Sequence, residues 1–366
     1  MMIENAKSLI KDNFSQVPWL YDNTLFLTKH GSHAYGLNTQ DSDLDLKGFC
    51  VPPKEYFYGF LNNFEQAESH HPNDAVIFDL KKFIKLAADA NPSVLEVIFT
   101  DESDHLITTS QSDLILSHRD NFLSKKVKYT FQGYAFSQVK RINLHRRWLL
   151  YPVKDEPTRK SFGLPDHTLI PKDQLAAAKS SIEQKMKEWD LNFLDDLDEA
   201  SKISFKEKFQ NILLDVKTSE ELWITAAKSL NYSDNFIWLL QKEKEYESKR
   251  RDYENYIKWK KERNPKRAAL EEKHGYDCKF ALHIARLSLM CGEILETGKV
   301  IVKRKDDKDF LMSIRNGNMT YEELIEWFEK QNAIIDQRYQ TSKLPHSPDK
   351  VKLDNLCISI VENILK

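Results

Sequence analysis

Residues 30–48 read HGSHAYGLNTQDSDLDLKG. The seven residues up to His30 (Thr24–His30, TLFLTKH) have the composition of a strand, and Gly31-Ser32 reads as the turn that ends it. After ten more residues comes Asp43–Val51 (DLDLKGFCV), a second strand closed by Pro52-Pro53. On a strand of period two, Asp43 and Asp45 face one side while Leu44 and Leu46 face the core. Parallel carboxylates repel, and a hard divalent cation relieves the repulsion. Mg²⁺ suits the role, bound by one or two carboxylates together with substrate phosphates; Mn²⁺ is the alternative. Gly31 and Ser32 can offer backbone N–H groups and a hydroxyl to a phosphate. An Asp-x-Asp pair alone also fits a solvated strand face. The ordered combination of strand, Gly-Ser, spacer and second strand is far more specific.

Outward from this stretch, DAVIFD (74–79) reads as a third strand, and Leu80–Ala90 as a helix with Leu80, Phe83, Ile84 and Ala87 on one face. Residues 2–14 read as a short N-terminal helix. Ser93-x-x-Glu96 has the form of a capping box. Strands and helices mix up to about residue 124. Beyond it, helical patterns dominate over 125–150, 172–190, 201–215, 219–231, 233–263 and 277–297, with Lys299–Lys303 a short strand candidate. Thr320-x-x-Glu323 and Ser347-Pro348 signal two further helix starts. The proline-rich segment 152–171 reads as a long loop. The fold class expected is α+β: a small mixed-sheet domain over 1–124, then a mostly α-helical domain over 125–366.

Length and charge agree with this. A chain of 366 residues suits about two domains. Its 54 Lys+Arg against 56 Asp+Glu exclude a bulk polycation, so any basic surface is local. Four of only 10 glycines (Gly31, Gly36, Gly48, Gly59) fall in the region already singled out. Four scattered cysteines argue against a disulfide scaffold or zinc site and fit a reducing cytoplasm. The charged start lacks a signal peptide's apolar core, and no run is long enough for a membrane span.

In the helical half, Lys279, His283 and Arg286 share one face of a helix that is otherwise apolar or small. Such a stripe either points into a polar cleft, where phosphate is the natural partner, or is an ordinary solvated face. Lys249–Arg267 holds nine Lys/Arg against three acids with Tyr253, Tyr256 and Trp259 interleaved. It reads as an RNA-holding surface or, somewhat better, as a helix with an aromatic core face and a solvated basic face. Lys140, Arg141, His145, Arg146 and Arg147 read as surface.

The Gly31-Ser32 turn followed by Asp43-Leu44-Asp45 resembles the signature of the DNA polymerase beta superfamily of nucleotidyltransferases. More closely, GSHAYGLNTQDSDLDLKGFCVPP, NPSVLEVIF and HGYDCKFALHIARL resemble the RNA-repair-pathway nucleotidyltransferases of bacteria and phages, across most of residues 25–345. His30 departs from the apolar residue usual before the glycine. The resemblance implies transfer of a nucleoside monophosphate from an NTP to a hydroxyl, with release of pyrophosphate and RNA favoured as acceptor. It also implies a third metal-binding carboxylate on a neighbouring strand, for which Asp79 is the candidate beside its other reading as a helix N-cap. Lys279, His283 and Arg286 match a motif of the closer family. Two rivals stay open: a protein-nucleotidylylating enzyme of the same fold, and a non-catalytic nucleotide- or RNA-binding module.

Overall fold

A continuous apolar run, Leu25-Phe26-Leu27, sits in Thr24–His30, a strand (β1) buried along nearly its whole length. It follows helix α1 (Met2–Asn13) and leads into a single helical turn, α2 (Gly31–Ala34). β2 (Asp45–Cys50) pairs antiparallel with β1, setting His30 opposite Asp45. β3 (Gln66–Ser69) and β4 (Ala75–Asp79) follow; β4 runs parallel to β2 and antiparallel to β3. Next come α3 (Leu80–Ala88), α4 (Pro92–Leu95) and β5 (His105–Ile107), which pairs with β1. The result is a five-stranded mixed sheet of order β3-β4-β2-β1-β5. The helices after it are α5 (Val127–Leu150), α6 (Lys172–Asn192), α7 (Val216–Ser229), α8 (Asp234–Glu262), α9 (Pro265–His274), α10 (Cys278–Thr297), α11 (Lys308–Arg315), α12 (Tyr321–Thr341) and α13 (Lys350–Leu365).

This computed structural model describes residues 2–40, 42–192 and 216–365; the helix expected over 201–215 lies outside them. A mixed-sheet N-terminal region followed by a mostly helical remainder is the fold class expected. The chain clusters into two compact units, 1–150 with 264–366, and 151–263.

The first unit holds the sheet, with a core on each of its faces. One face packs Leu27, Leu46, Cys50, Ile77 and Ile107 against Ile10 of α1 and Phe14 just after it. The other packs Phe26, Phe49 and Phe83 into a larger core that runs on to Ala281, Ile284 and Leu287 of α10. Each such side chain stabilises the fold by about 1.5–3 kcal/mol when fully buried. α10 is apolar on most sides because it is a central helix, packed against α5 and α12. Asp277 caps it by accepting from the Lys279 and Phe280 N–H groups (2.9 and 3.2 Å), and Gly298 ends it in the left-handed conformation.

The second unit builds its own small core from Ile182, Trp223, Ala226 and Leu240. In α8, Tyr256 is buried while Lys249, Arg250, Arg251, Lys258 and Lys260 are exposed, so the basic side of that helix faces solvent.

Local signals differ from expectation in three places. Asn91, not Ser93, caps α4, accepting from Val94 N–H with Pro92 at the first helical position. Asp349, not Ser347, takes the Lys352 N–H at the start of α13. Lys299–Lys303 is irregular rather than a strand. The Thr320/Glu323 capping box forms as expected.

Candidate active site

The chain leaves β1 at Gly31 with φ +59°, a conformation that disfavours any side chain. A Cβ there would collide with Oδ2 of Asp45, so the space a side chain would need is where the Asp45 carboxylate rests. Burial raises the Asp45 pKa, and Asp74 and Asp43 push the same way against the lowering effect of Lys279 and Lys47. Asp43 stands just before β2 and is exposed. Gly31→Ala is expected to displace Asp45, to cost about 1–2 kcal/mol for the left-handed backbone alone, and to remove activity as fully as loss of Asp45. A thermal melt and an assay check this; a variant with wild-type turnover contradicts the assigned packing.

The structure brings Asp74, not Asp79, beside this pair. The parallel register sets Leu46 opposite Ala75, and the Leu46 N–H donates to the Asp74 carbonyl at 2.8 Å. Asp74 therefore flanks the Asp45 end of β2, and it also pairs with His70 (2.8 Å). Asp79 sits opposite Cys50, at the far end of both strands. Side chains alternate along a strand, so Asp79 also points to the face opposite Asp45. It occupies the N-cap position of α3, where the Leu80, Lys81 and Lys82 amides favour its charge while burial raises its pKa. No capping hydrogen bond reaches full geometry, and Oδ1 is buried without a partner.

Above this end of the sheet lies a cleft of about 580 Å³, lined by Gly31, Ser32, Asp43, Asp45, Asp74, Lys279, His283 and Arg286 among others. That volume is in the range of small-molecule sites. Every predicted site residue except Asp79 lines it. The α10 stripe thus faces a cleft, but its three members differ. Lys279 is exposed. His283 is neutral: burial lowers its pKa to about 3, helped by Arg286, Lys279 and Arg267. Arg286 is 4 % exposed and its Nη1 donates to Oε1 of Glu96, which is 1 % exposed. The guanidinium also lies over the Tyr35 ring (3.8 Å), and the Tyr35 hydroxyl donates to Oε2 of Glu96 at 2.7 Å. Arg286 is therefore the floor of the cleft more than a free phosphate ligand.

His283 makes a prediction of its own. An unfolded histidine takes up a proton near pH 6.5 and this one does so near 3, so its contribution to stability is lost as pH falls across that window. His283→Asn is expected to flatten the acid side of the stability–pH curve. A wild-type imidazole that titrates near 6.5 by NMR contradicts the neutral assignment.

Glu96, Tyr35, Asp74 and Lys47 escaped the sequence reading. Glu96 was hidden by its capping-box context and Asp74 by the unknown direction of β4; Lys47 carried a signal, two residues after Asp45 on one strand face. The loop between signature halves is held from later in the chain. The Arg304 N–H donates to the Tyr35 carbonyl at 2.9 Å, and Arg315 Nη1 donates to the Leu37 carbonyl.

Asp43, Asp45 and Asp74 supply oxygen donors only, the chemistry of a hard cation. Among the described residues no group of three or more His, Cys, Asp or Glu forms a metal-ion site. All four cysteines are free and buried, and no described helix is long and apolar enough to cross a membrane.

Residues 6–154 match the family described as RNA repair pathway DNA polymerase beta family. The motif at Tyr276–Arg286 lies outside that match. The chain is 29 % identical over 130 residues to an uncharacterized 38.9 kDa protein from the nrdC–mobD intergenic region of Enterobacteria phage T4, covering 32 % of this chain and 38 % of that one. It is 26 % identical over 137 residues to the uncharacterized protein YcgL of Bacillus subtilis (strain 168), covering 37 % and 53 %. The alignments thus span about two fifths and half of these relatives. No solved structure matches.

Proposed function

We propose that the chain is a metal-dependent nucleotidyltransferase that moves a nucleoside monophosphate from an NTP to a hydroxyl acceptor, RNA being favoured, and releases pyrophosphate. The observation that carries this reading is the gathering of Asp43, Asp45 and Asp74 beside the Gly31-Ser32 turn in one cleft of about 580 Å³. The family match over residues 6–154 supports the reaction class, and its RNA-repair description supports the acceptor.

Asp43, Asp45 and Asp74 would hold the metal. When bound, a divalent cation lowers the pKa of the attacking hydroxyl and neutralises charge developing on the α-phosphate and leaving pyrophosphate. Gly31 and Ser32 anchor the β- and γ-phosphates, Lys279 adds a cation from the opposite wall, and neutral His283 offers a hydrogen bond rather than a charge. Arg286 and Glu96 fix the floor. Residues 1–124 thus supply the reacting groups, and the later helices supply the wall and bind the acceptor.

Asp74 and Asp79 separate cleanly by mutation. Asp74→Asn is expected to lose activity nearly as severely as Asp45→Asn with little change in melting temperature. Asp79→Asn is expected to keep most of its turnover and change stability by at most about 1 kcal/mol, the scale of a helix cap. The assay is incubation of purified protein with each NTP labelled at the α-phosphate, plus total RNA. Label on RNA supports the reading; label on protein alone favours the protein-modifying rival, and the reverse Asp74/Asp79 result overturns the assigned carboxylate set.

A further inference from the structure

We propose that Lys47 is a binding residue for the polyphosphate of the nucleotide, on the strand that carries Asp45. The inference rests on the nucleotidyltransferase reading and adds a cation outside both the Gly31-Ser32 turn and the α10 stripe.

Strand alternation puts Lys47 on the same face of β2 as Asp45, and its side chain lines the same cleft. It is only partly exposed. Its ammonium donates to neutral partners alone, the hydroxyl of Ser93 and the Ser93 carbonyl at 3.4 Å. Among the described residues it makes no ion pair. Of the anions around it, Glu96 is engaged, Oε1 receiving Arg286 and Oε2 receiving Tyr35, while Asp45 is a proposed metal ligand. A half-buried ammonium that makes no ion pair of its own, with Glu96 and Asp45 near but not paired to it, is an arrangement that an anionic ligand improves.

The rest of the wall makes the same point from the side of the ligand. Of the α10 stripe, His283 is uncharged and Arg286 is neutralised by Glu96, leaving Lys279 as its free cation. Of the other cations in the same lining, Arg267 is paired with Asp277 and Arg315 is turned to the Leu37 carbonyl. Asp43, Asp45 and Asp74 would be offset by a divalent cation held there, which would leave the Lys47 charge for phosphate. Lysine binds phosphate as a point charge, without needing the planar fork of arginine.

The test is calorimetric titration of the full chain with inorganic tripolyphosphate in Mg²⁺ at low salt, for wild type, Lys47→Met, Lys47→Gln and Lys47→Arg. The methionine and glutamine variants are expected to bind about tenfold more weakly and the arginine variant within about threefold of wild type. The wild type should also lose affinity more steeply than Lys47→Met as salt rises. Should Lys47→Met fail to fold, glutamine against arginine carries the comparison. Equal binding by all variants, or no tripolyphosphate binding by wild type, overturns the inference. The parent reading fails separately. Lys47-dependent binding without label on any acceptor upholds the site and removes the transferase, whereas undiminished transfer by Lys47→Met removes the site alone.

Discussion

Asp45→Asn is expected to lose the proposed nucleotidyl transfer by at least about 100-fold and to melt no lower than wild type. The activity figure follows from removing a metal ligand worth several kcal/mol to the transition state, at tenfold in rate per 1.36 kcal/mol. The stability follows from the charge being unfavourable where it stands. Burial raises the Asp45 pKa, with Asp74 and Asp43 adding repulsion that Lys279 and Lys47 offset only in part. An acid whose folded pKa is raised holds its proton more tightly folded than unfolded. The wild type therefore loses stability as pH rises from about 3.8 through the raised folded value, and the asparagine variant lacks that loss. An assay and melts at two pH values check both halves. A folded Asp45→Asn enzyme with full activity in Mg²⁺ removes the metal assignment, and a variant that fails to fold makes Asp45 structural.

Arg286→Met is expected to destabilise the fold by about 3–5 kcal/mol, the usual cost of leaving one partner of a buried ion pair alone. Both groups are almost fully buried, Arg286 at 4 % and Glu96 at 1 % exposure, so solvent cannot take over for the missing charge. The stack on Tyr35 is lost with it. The pair bridges 190 residues of sequence, joining the segment after α4 to α10. The double variant Glu96→Leu/Arg286→Met should recover most of the loss, because two matched apolar groups leave no orphan charge. Chemical denaturation of the two single variants and the double variant measures this. A single variant within 1 kcal/mol of wild type contradicts the buried pair.

The half of the site that local chemistry dictates was legible in the residues. β1 and β2 show as short apolar runs bounded by turn residues, and Gly31-Ser32 with Asp43 and Asp45 falls at their facing ends. What could not be read depends on pairing at a distance. β3 is only Gln66–Ser69 and β5 only His105–Ile107, too short and too polar to show a period. The segment 74–79 carries an aspartate at each end, and only the parallel direction of β4 decides that Asp74 meets Asp45. Glu96 satisfied a capping pattern three residues after Ser93, yet Asn91 followed by Pro92 was the stronger local signal and is the cap. Its true partner lies in α10. The apolar surroundings of Arg286 were visible as pattern, and they were the sign that its charge had to be paired inside the protein.

The reaction proposed for this cleft is transfer of the α-phosphoryl group of an NTP together with its nucleoside. The direct measurement compares RNA incubated with wild-type protein, Mg²⁺ and NTP labelled at the α- or the γ-phosphate, with Asp45→Asn and a chelator as controls. Label is predicted on RNA from the α-position alone, with pyrophosphate released, and none with Asp45→Asn or chelator. Label from the γ-position, or α-label that persists in Asp45→Asn, contradicts the account.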